Sequence, residues 1–138
     1  MRKRKPILII DDDKVDVMTT EHALKELNVT NPVYIAWNGE EELSILKDEN
    51  LDLHGIILLD LNMPRMNGID FLRIMKKDER IRRIPVVVLT TSREEEDKVE
   101  SFNLGVAGYM VKPVDYIKFV DVIKAINLYW TLSELSDL

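Results

Sequence analysis

The sequence predicts a single domain built on a doubly wound, parallel α/β sheet of five strands. Short apolar runs alternate with longer amphipathic segments, and this repeated order of strand and helix requires parallel strands joined by right-handed crossovers. Several runs are continuous and β-branched, as in strands that are covered on both faces. The predicted strands are residues 7–10, 33–37, 56–59, 86–89 and 109–111.

Helical patterns fill the segments between the predicted strands. The first helix places apolar positions and one threonine on a single side, at three- and four-residue spacing. These positions are Val17, Thr20, Leu24 and Leu27. Further helices are predicted over residues 39–47, 68–78 and 93–104, and from Asp115 onward. Asp115 is the expected N-cap of the fifth helix, and Gly105 is expected to end the fourth.

Composition limits the classes of function. The 138 residues suffice for one domain with a real core. Lys and Arg number 19 against 25 Asp and Glu, a net charge of −6, which argues against direct nucleic-acid binding. The absence of cysteine excludes disulfides and thiolate metal sites. The apolar run after the basic leader is too short for a secretory signal, and no run is long enough to span a membrane, so we expect a cytoplasmic protein.

Reactive side chains follow four of the five predicted strands. They are Asp11, Asp12 and Asp13 after the first strand, Asp60 after the third, Thr90, Thr91 and Ser92 after the fourth, and Lys112 after the fifth. Ligands of open parallel sheets bind beyond the carboxyl ends of the strands, at the point where the strand order switches. We therefore expect these acids, hydroxyls and one amine to converge on one edge of the sheet.

The chemistry of this set is coherent. Crowded carboxylates repel one another unless a cation neutralises them, and ligands that are all oxygen favour Mg²⁺ or Mn²⁺. A carboxylate beside such a metal can attack phosphorus to form an acyl phosphate, while an ammonium and a hydroxyl hold the phosphoryl oxygens. Each residue alone also has an ordinary interpretation, as a helix cap, a turn residue or a solvated lysine. It is their occurrence at successive strand ends that favours phosphoryl chemistry.

The motifs IIDDD, LLDLNMPRMNG, PVVVLTTS and GYMVKP together resemble those of receiver domains of two-component response regulators. The resemblance covers residues 6–128, with a C-terminal helical extension to residue 138, so that residues 1–138 form one receiver domain. It implies a flavodoxin-like sheet with strand order 2-1-3-4-5. The LTTS run and the extended end are most similar to single-domain regulators that partner phytochrome-type histidine kinases.

The resemblance implies a phosphoacceptor and a set of metal ligands. Asp60 would accept the phosphoryl group from a kinase phosphohistidine. Asp12 would bind Mg²⁺ directly, Asp11 would bind it directly or through water, and Asn62 would supply its main-chain carbonyl. Mn²⁺ would be able to replace Mg²⁺. Asn62 would also flank the path of the attacking water and so modulate the lifetime of the phosphoryl group.

The resemblance also implies how the phosphoryl group is held and how it is sensed. Thr90 would hydrogen-bond to it and Lys112 would pair with it. Tyr109 would swing inward as Thr90 shifts, which makes these two the switch residues. Ser92, two residues beyond Thr90, would modulate the lifetime together with Asn62. The peptide bond between Lys112 and Pro113 would be cis, as it often is in this family.

The expected output surface consists of the fourth helix, the fifth strand and the fifth helix. One stripe of the fifth helix is expected to face the core: Phe119, Ile123, Ile126 and Trp130. Other apolar residues fall away from this stripe: Ile117, Leu128 and Leu132. They are scattered surface residues, or a homodimer contact that responds to phosphorylation, or a docking site for the C-terminal segment.

Two other functions compete with the receiver interpretation. A Mg²⁺-dependent phosphatase of the haloacid dehalogenase type also forms an aspartyl phosphate, but it needs an acid two residues after the nucleophile, where this chain has Asn62. An unphosphorylated adaptor with the same fold would leave the carboxylate repulsion uncompensated. We expect no enzyme activity apart from catalysis of the chain's own phosphorylation and dephosphorylation, and no DNA-binding output domain.

Overall fold

Five parallel strands form the sheet, in the predicted order β2-β1-β3-β4-β5. The computed structural model describes residues 6–41, 55–63, 66–112 and 115–135, with side chains described as far as Leu128. The strands are β1 Ile7–Ile10, β2 Val33–Ala36, β3 Ile56–Leu59, β4 Val86–Thr90 and β5 Gly108–Val111. All four neighbouring pairs are parallel. The fold class predicted from the sequence is therefore confirmed.

Four helices pack on the sheet within the described part of the chain. They are α1 Lys14–Glu26, α2 Gly68–Lys76, α3 Glu95–Asn103 and α4 Tyr116–Leu135. A helical turn also starts at residues 39–41, but the rest of the predicted second helix lies outside the described residues. The predicted third, fourth and fifth helices thus correspond to α2, α3 and α4.

Side-chain caps and residues with a positive φ angle set several helix ends. The carboxylate of Asp13 accepts hydrogen bonds from the backbone amides of Val15 and Asp16 at the start of α1. Asp115 accepts a hydrogen bond from the amide of Ile117 at 2.8 Å, which confirms it as the cap of α4. Gly105 has φ of +84°, a conformation that favours glycine, and it follows the end of α3 as predicted.

Two apolar layers cover the two faces of the sheet, because the central strands alternate their side chains between them. One layer packs against α2 and contains Leu8, Ile10, Ile57, Leu59, Val86, Val88, Phe71, Leu72 and Met75. The other packs against α1 and α4 and contains Ile7, Ile9, Ile56, Leu58, Val87, Leu89, Val17, Leu24, Phe119, Ile123 and Ile126. The continuous aliphatic runs are therefore buried on both sides, and three members of the predicted α4 stripe face the core.

The element boundaries differ from the prediction at a few positions. Thr90 is the last residue of β4 rather than the first residue after it, because it still pairs with Val111 in the ladder. Trp37 lies beyond the end of β2. Helix α4 continues without interruption past residue 128 to Leu135, while the side chains of Trp130 and Leu132 lie outside the description. None of the helices in the described part has the length and apolar character needed to cross a membrane.

Candidate functional site

The carboxyl ends of four strands bring the predicted reactive groups to one edge of the sheet. Asp11 follows β1, Asp60 follows β3, Thr90 ends β4 and Lys112 follows β5, and all four are buried. Backbone hydrogen bonds fix their spacing: the amide of Asp60 donates to the carbonyl of Ile10 at 2.9 Å, and that of Lys112 to the carbonyl of Thr90 at 2.8 Å. The edge predicted from the sequence is therefore present.

The carboxylate of Asp60 lies at the centre of this edge and has a donor near each oxygen. The hydroxyl of Thr90 donates to Oδ1 at 2.8 Å, and the backbone amide of Asn62 donates to the same oxygen at 3.2 Å. Nζ of Lys112 lies 3.5 Å from Oδ2. These contacts hold a buried carboxylate in one orientation at the mouth of the loop that follows β3.

The ammonium of Lys112 is shared among three carboxylates. Nζ donates to Oδ2 of Asp11 at 2.5 Å and to Oδ2 of Asp16 at 2.9 Å, in addition to its ion pair with Asp60. Burial by itself lowers the pKa of Lys112, but the hydrogen bond and charge of Asp11, the hydrogen bond of Asp16 and the charge of Asp60 outweigh it and raise the pKa above its ordinary value. The lysine is therefore held as a cation within the site.

The environment of Asp11 disfavours the charged form of its carboxyl group. Burial raises the pKa of its carboxyl to about 6, although the hydrogen bond and charge of Lys112 act in the opposite direction. Its other oxygen accepts a hydrogen bond from the backbone amide of Asp13 at 2.9 Å. A buried carboxylate that is costly to ionise gains from an additional cation nearby.

Three of the acids could bind one metal ion together. Asp11, Asp12 and Asp60 each offer a carboxylate oxygen, and these oxygens lie within 4.8 Å of one another. Mg²⁺ holds its oxygen ligands at about 2.0–2.1 Å, so adjacent ligands lie roughly 3 Å apart and side-chain rotations would have to bring these oxygens closer together. The donors are all oxygen and Asp12 is exposed, which leaves room for the water ligands that such ions retain. The residues therefore fit a hard divalent cation.

A hydrogen-bond network connects this site to α3 and β5 through Ser92. The amide of Ser92 donates to Oγ1 of Thr90 at 3.3 Å, and its hydroxyl donates to Asp97 at 2.6 Å. The hydroxyl of the half-buried Tyr109 donates to the carbonyl of Ser92 at 3.2 Å. Burial raises the pKa of Tyr109, and the neighbouring charges of Asp97 and Glu94 add to this effect. The two predicted switch residues are thus linked through a single residue between them.

The start of α2 approaches the end of β3 very closely. A Cβ atom built on Gly68 would lie 2.7 Å from the carbonyl oxygen of Asp60 and 2.7 Å from Cα of Leu61. The amide of Gly68 also donates to the carbonyl of Leu61 at 3.0 Å. Only glycine permits this approach without a shift of the backbone. Gly68 therefore helps to set the position of Asp60.

Two acids of the site were not predicted from the sequence, and two predicted features remain predictions. Asp16 pairs with Lys112, and Asp97 accepts from Ser92, although neither residue was predicted to take part. Asp16 could have been suspected because it lies in the first turn of the helix that follows the acidic strand end. The predicted metal contact of the Asn62 carbonyl stays a prediction, and Pro113, with its predicted cis bond, lies outside the described residues.

Comparison with known proteins decides the family. A family model of the response regulator receiver domain matches residues 7–124. The chain belongs to this family. Response regulator Rcp1 of Synechocystis sp. is 32% identical over 130 residues, which cover 91% of this chain and 88% of Rcp1.

Two solved receiver structures superpose closely on this chain. The phosphorylated cyanobacterial phytochrome response regulator RcpA is 33% identical with a TM-score of 0.87, and the match covers 93% of this chain and 94% of RcpA. The Mn²⁺-bound form of Rcp1 is 32% identical with a TM-score of 0.85, covering 91% and 94%. The flavodoxin-like receiver fold is therefore confirmed.

Membership of this family settles the general role of the chain. It is a receiver domain of two-component signalling, a phosphoacceptor that works with histidine kinases. The family match does not favour the two competing functions, a Mg²⁺-dependent phosphatase and an unphosphorylated adaptor. The acidic trio of Asp11, Asp12 and Asp60 supports binding of a divalent metal.

Proposed function

We propose that Asp60 is the phosphoacceptor and takes its phosphoryl group from a phosphohistidine of a sensor histidine kinase. The observation that carries this proposal is the environment of the Asp60 carboxylate, with Thr90 donating to one oxygen at 2.8 Å and Lys112 lying 3.5 Å from the other. Donors held in these positions can stabilise the negative charge on the phosphoryl oxygens when the phosphoryl group is transferred to Asp60.

The transfer requires one bond to form and one to break. A carboxylate oxygen of Asp60 bonds to phosphorus while the bond between phosphorus and the imidazole nitrogen breaks. The donor histidine leaves with that electron pair and becomes neutral imidazole when a proton reaches the nitrogen. The protein contributes mainly the position of the carboxylate and the charges around it, because phosphoryl transfer needs little other chemistry from the enzyme.

We propose Mg²⁺ as the divalent cation, with Mn²⁺ able to replace it. Asp11, Asp12 and Asp60 would hold it with side-chain oxygens, and Asn62 with its main-chain carbonyl. Bound there, it would supply positive charge that neutralises the phosphoryl oxygens. The all-oxygen trio and the likeness to Rcp1, which has an Mn²⁺-bound form, support this choice.

Thr90 and Lys112 would hold the phosphoryl group once it is in place. Phosphorylation adds a charge of roughly −1.5 to −2 and strong acceptor oxygens at Asp60. The Thr90 hydroxyl would turn from the Asp60 carboxylate to a phosphoryl oxygen, and the Lys112 ammonium would turn from Asp11. Both shifts begin from contacts already within hydrogen-bond distance, so they need only small movements.

The switch would pass from Thr90 through Ser92 to Tyr109. Because the Ser92 amide bonds to Thr90 and the Tyr109 hydroxyl bonds to the Ser92 carbonyl, a shift of Thr90 disturbs both contacts. The output would be the surface formed by α3, β5 and α4. Driving such an element from 1% to 99% populated needs about 5.5 kcal/mol of differential interaction, which a dianion held by a metal, an ammonium and a hydroxyl can supply.

The lifetime of the phosphoryl group would depend on Asn62 and Ser92. Both would flank the water whose attack on phosphorus restores the carboxylate. Their side chains are already engaged, since the Asn62 amide donates to Thr91 at 3.3 Å and the Ser92 hydroxyl donates to Asp97 at 2.6 Å. Phosphorylation and dephosphorylation of itself would be the only reactions that the chain catalyses.

We propose a phytochrome-type histidine kinase as the partner, in the cytoplasm, with one receiver domain over residues 1–138. The support is the similarity to the phytochrome response regulator RcpA over 93% of the chain. Phosphotransfer from a purified phytochrome-type kinase, compared with a kinase of another sensory class, tests this assignment. Equal transfer rates from both kinases would argue against it.

We also propose a homodimer through α3, β5 and α4 that forms on phosphorylation. Ile117 is 72% exposed and Leu128 is 61% exposed on α4, and Val99 and Phe102 are exposed on α3. Analytical ultracentrifugation should show a dimer for the phosphorylated wild-type protein and a monomer for the phosphorylated Ile117→Lys variant. A phosphorylated protein that remains monomeric at high concentration would contradict the dimer and leave scattered surface residues or docking of the C-terminal segment as the explanation.

Uptake of phosphate from a small donor tests the function itself. The protein is incubated with acetyl phosphate in Mg²⁺ or in chelator, and its intact mass is measured. We expect one phosphoryl group in Mg²⁺ and none in chelator. The matched variant Asp60→Asn should take up none, and uptake by this variant equal to that of the wild type would refute the assignment of Asp60.

A further inference from the structure

The buried ammonium of Lys112 contacts three carboxylates, and one of them has no role in the proposed phosphoryl transfer. The side chain of Lys112 is 4% exposed, and its Nζ lies 2.5 Å from Asp11, 2.9 Å from Asp16 and 3.5 Å from Asp60. A lysine ammonium has three protons, so one carboxylate is available for each. Asp11 and Asp60 belong to the candidate metal trio, whereas Asp16 does not.

Binding of a divalent cation creates competition for Asp11. The shortest contact of Lys112 is to an oxygen of Asp11, and the same carboxylate is expected to bind the metal. When Asp11 turns to the metal, the ammonium loses its nearest partner inside a buried site. A buried charge that loses its partner is costly, and this cost would weaken metal binding.

Asp16 is well placed to offset that loss. It lies in the first turn of α1, where a negative charge is favoured by the helix dipole. Its amide donates to Asp13 at 3.2 Å and its carbonyl accepts from the hydroxyl of Thr20 at 2.9 Å, so its backbone is fixed. Its side chain is 30% exposed, so its own charge remains partly solvated.

We propose that Asp16 is a positioning residue that keeps the ammonium of Lys112 in the site when Asp11 binds the divalent cation. Asp16 thereby releases Asp11 for the metal and leaves Lys112 beside Asp60, ready for the phosphoryl group. This inference rests on the proposed metal site.

Metal titration of two matched variants tests the role of Asp16. Asp16→Asn and Asp13→Asn each remove one negative charge near the start of α1, and asparagine remains a good cap at position 13. Of these two residues, Asp16 contacts Lys112, whereas Asp13 caps the helix. In calorimetric titrations, Asp13→Asn should bind Mg²⁺ a few-fold more weakly than the wild type does. Asp16→Asn should bind Mg²⁺ about tenfold more weakly than Asp13→Asn does, which is the difference expected from the loss of one partly exposed, charge-assisted hydrogen bond.

A double-mutant cycle separates the contact from the general loss of charge. In a Lys112→Met background there is no ammonium to hold, so Asp16→Asn and Asp13→Asn should weaken Mg²⁺ binding equally. Equal effects in the background that retains Lys112 would overturn the inference. A wild-type protein that binds no Mg²⁺ would overturn the proposed metal site as well. Failure of the metal site can therefore be distinguished from failure of the role of Asp16 alone.

A measurement on the wild type does not depend on the folding of any variant. Nitrogen-15 NMR of the lysine ammonium groups should show Lys112 as a slowly exchanging signal both without and with Mg²⁺. Loss of that signal when Mg²⁺ is added to the wild type would mean that Asp16 does not retain the ammonium, and the inference would be wrong.

Discussion

Replacing Gly68 with alanine should destabilise the protein, although alanine is the better helix former. The new Cβ would lie 2.7 Å from the carbonyl oxygen of Asp60 and from two carbon atoms of Leu61. Carbon atoms pack best at about 3.5–4.0 Å, so α2 and the end of β3 must separate by roughly 1 Å. Overpacking costs about 1–3 kcal/mol, whereas the helix propensity of alanine returns at most about 1 kcal/mol.

The net change expected for Gly68→Ala is a loss of about 1–2 kcal/mol in the free energy of unfolding. For a domain of 138 residues, Tm should fall by roughly 3–7 °C. Circular dichroism during heating and urea titration measures both quantities. Phosphorylation by acetyl phosphate should also slow, because the backbone that carries Asp60 has moved.

A second glycine provides the control. A Cβ on Gly108 would lie 3.8 Å and 3.9 Å from the methyl groups of Val87, an ordinary contact. Gly108→Ala should therefore be neutral or stabilising by up to about 1 kcal/mol, through the reduced freedom of the unfolded chain. The reasoning about Gly68 would be refuted if Gly68→Ala were as stable as the wild type, or if both variants lost the same stability.

Three further substitutions test individual contacts. Thr90→Val removes the hydroxyl that lies 2.8 Å from Asp60 and should slow phosphorylation by acetyl phosphate about a hundredfold; a rate within twofold of wild type would contradict this. Asp12→Asn relieves repulsion within the acid trio, so the midpoint of its unfolding in urea should be higher than that of the wild type in chelator. When Mg²⁺ is added, the midpoint of this variant should rise less than that of the wild type does. Ser101→Ala removes a buried hydroxyl that has no hydrogen-bond partner among the described residues, and the free energy of unfolding should rise by about 1 kcal/mol; a fall of that size would mean that the hydroxyl is paired.

The sheet and its reactive edge were predictable because they follow from local sequence features. Aliphatic runs that end on a polar residue reveal both the strand and the point at which it ends. In a parallel sheet those ends meet on one side, so Asp11, Asp60 and Lys112 could be placed together before any distance was known. The error at Thr90 was one of boundary, because a threonine fits the last position of a strand as well as the first position of a loop.

Contacts that depend on how helices and loops are placed in three dimensions were not predictable. Asp16 and Lys112 are separated by 96 positions in the chain, and their pairing depends on how α1 is placed beside the end of β5. The hydrogen bond from Ser92 to Asp97 depends on how the loop turns before α3 begins. Neither arrangement leaves a periodic signal in the sequence. The close approach of Gly68 is similar, since a glycine after an asparagine is equally typical of an ordinary turn.

The most direct test of the account is to locate the phosphoryl group within the chain. The protein is phosphorylated with acetyl phosphate in Mg²⁺, the acyl phosphate is reduced with borohydride, and the peptides are sequenced by mass spectrometry. We predict that the reduced residue is Asp60 and that Asp11, Asp12 and Asp16 remain unmodified. Reduction at another aspartate, or none at position 60 despite phosphate uptake, would contradict the account.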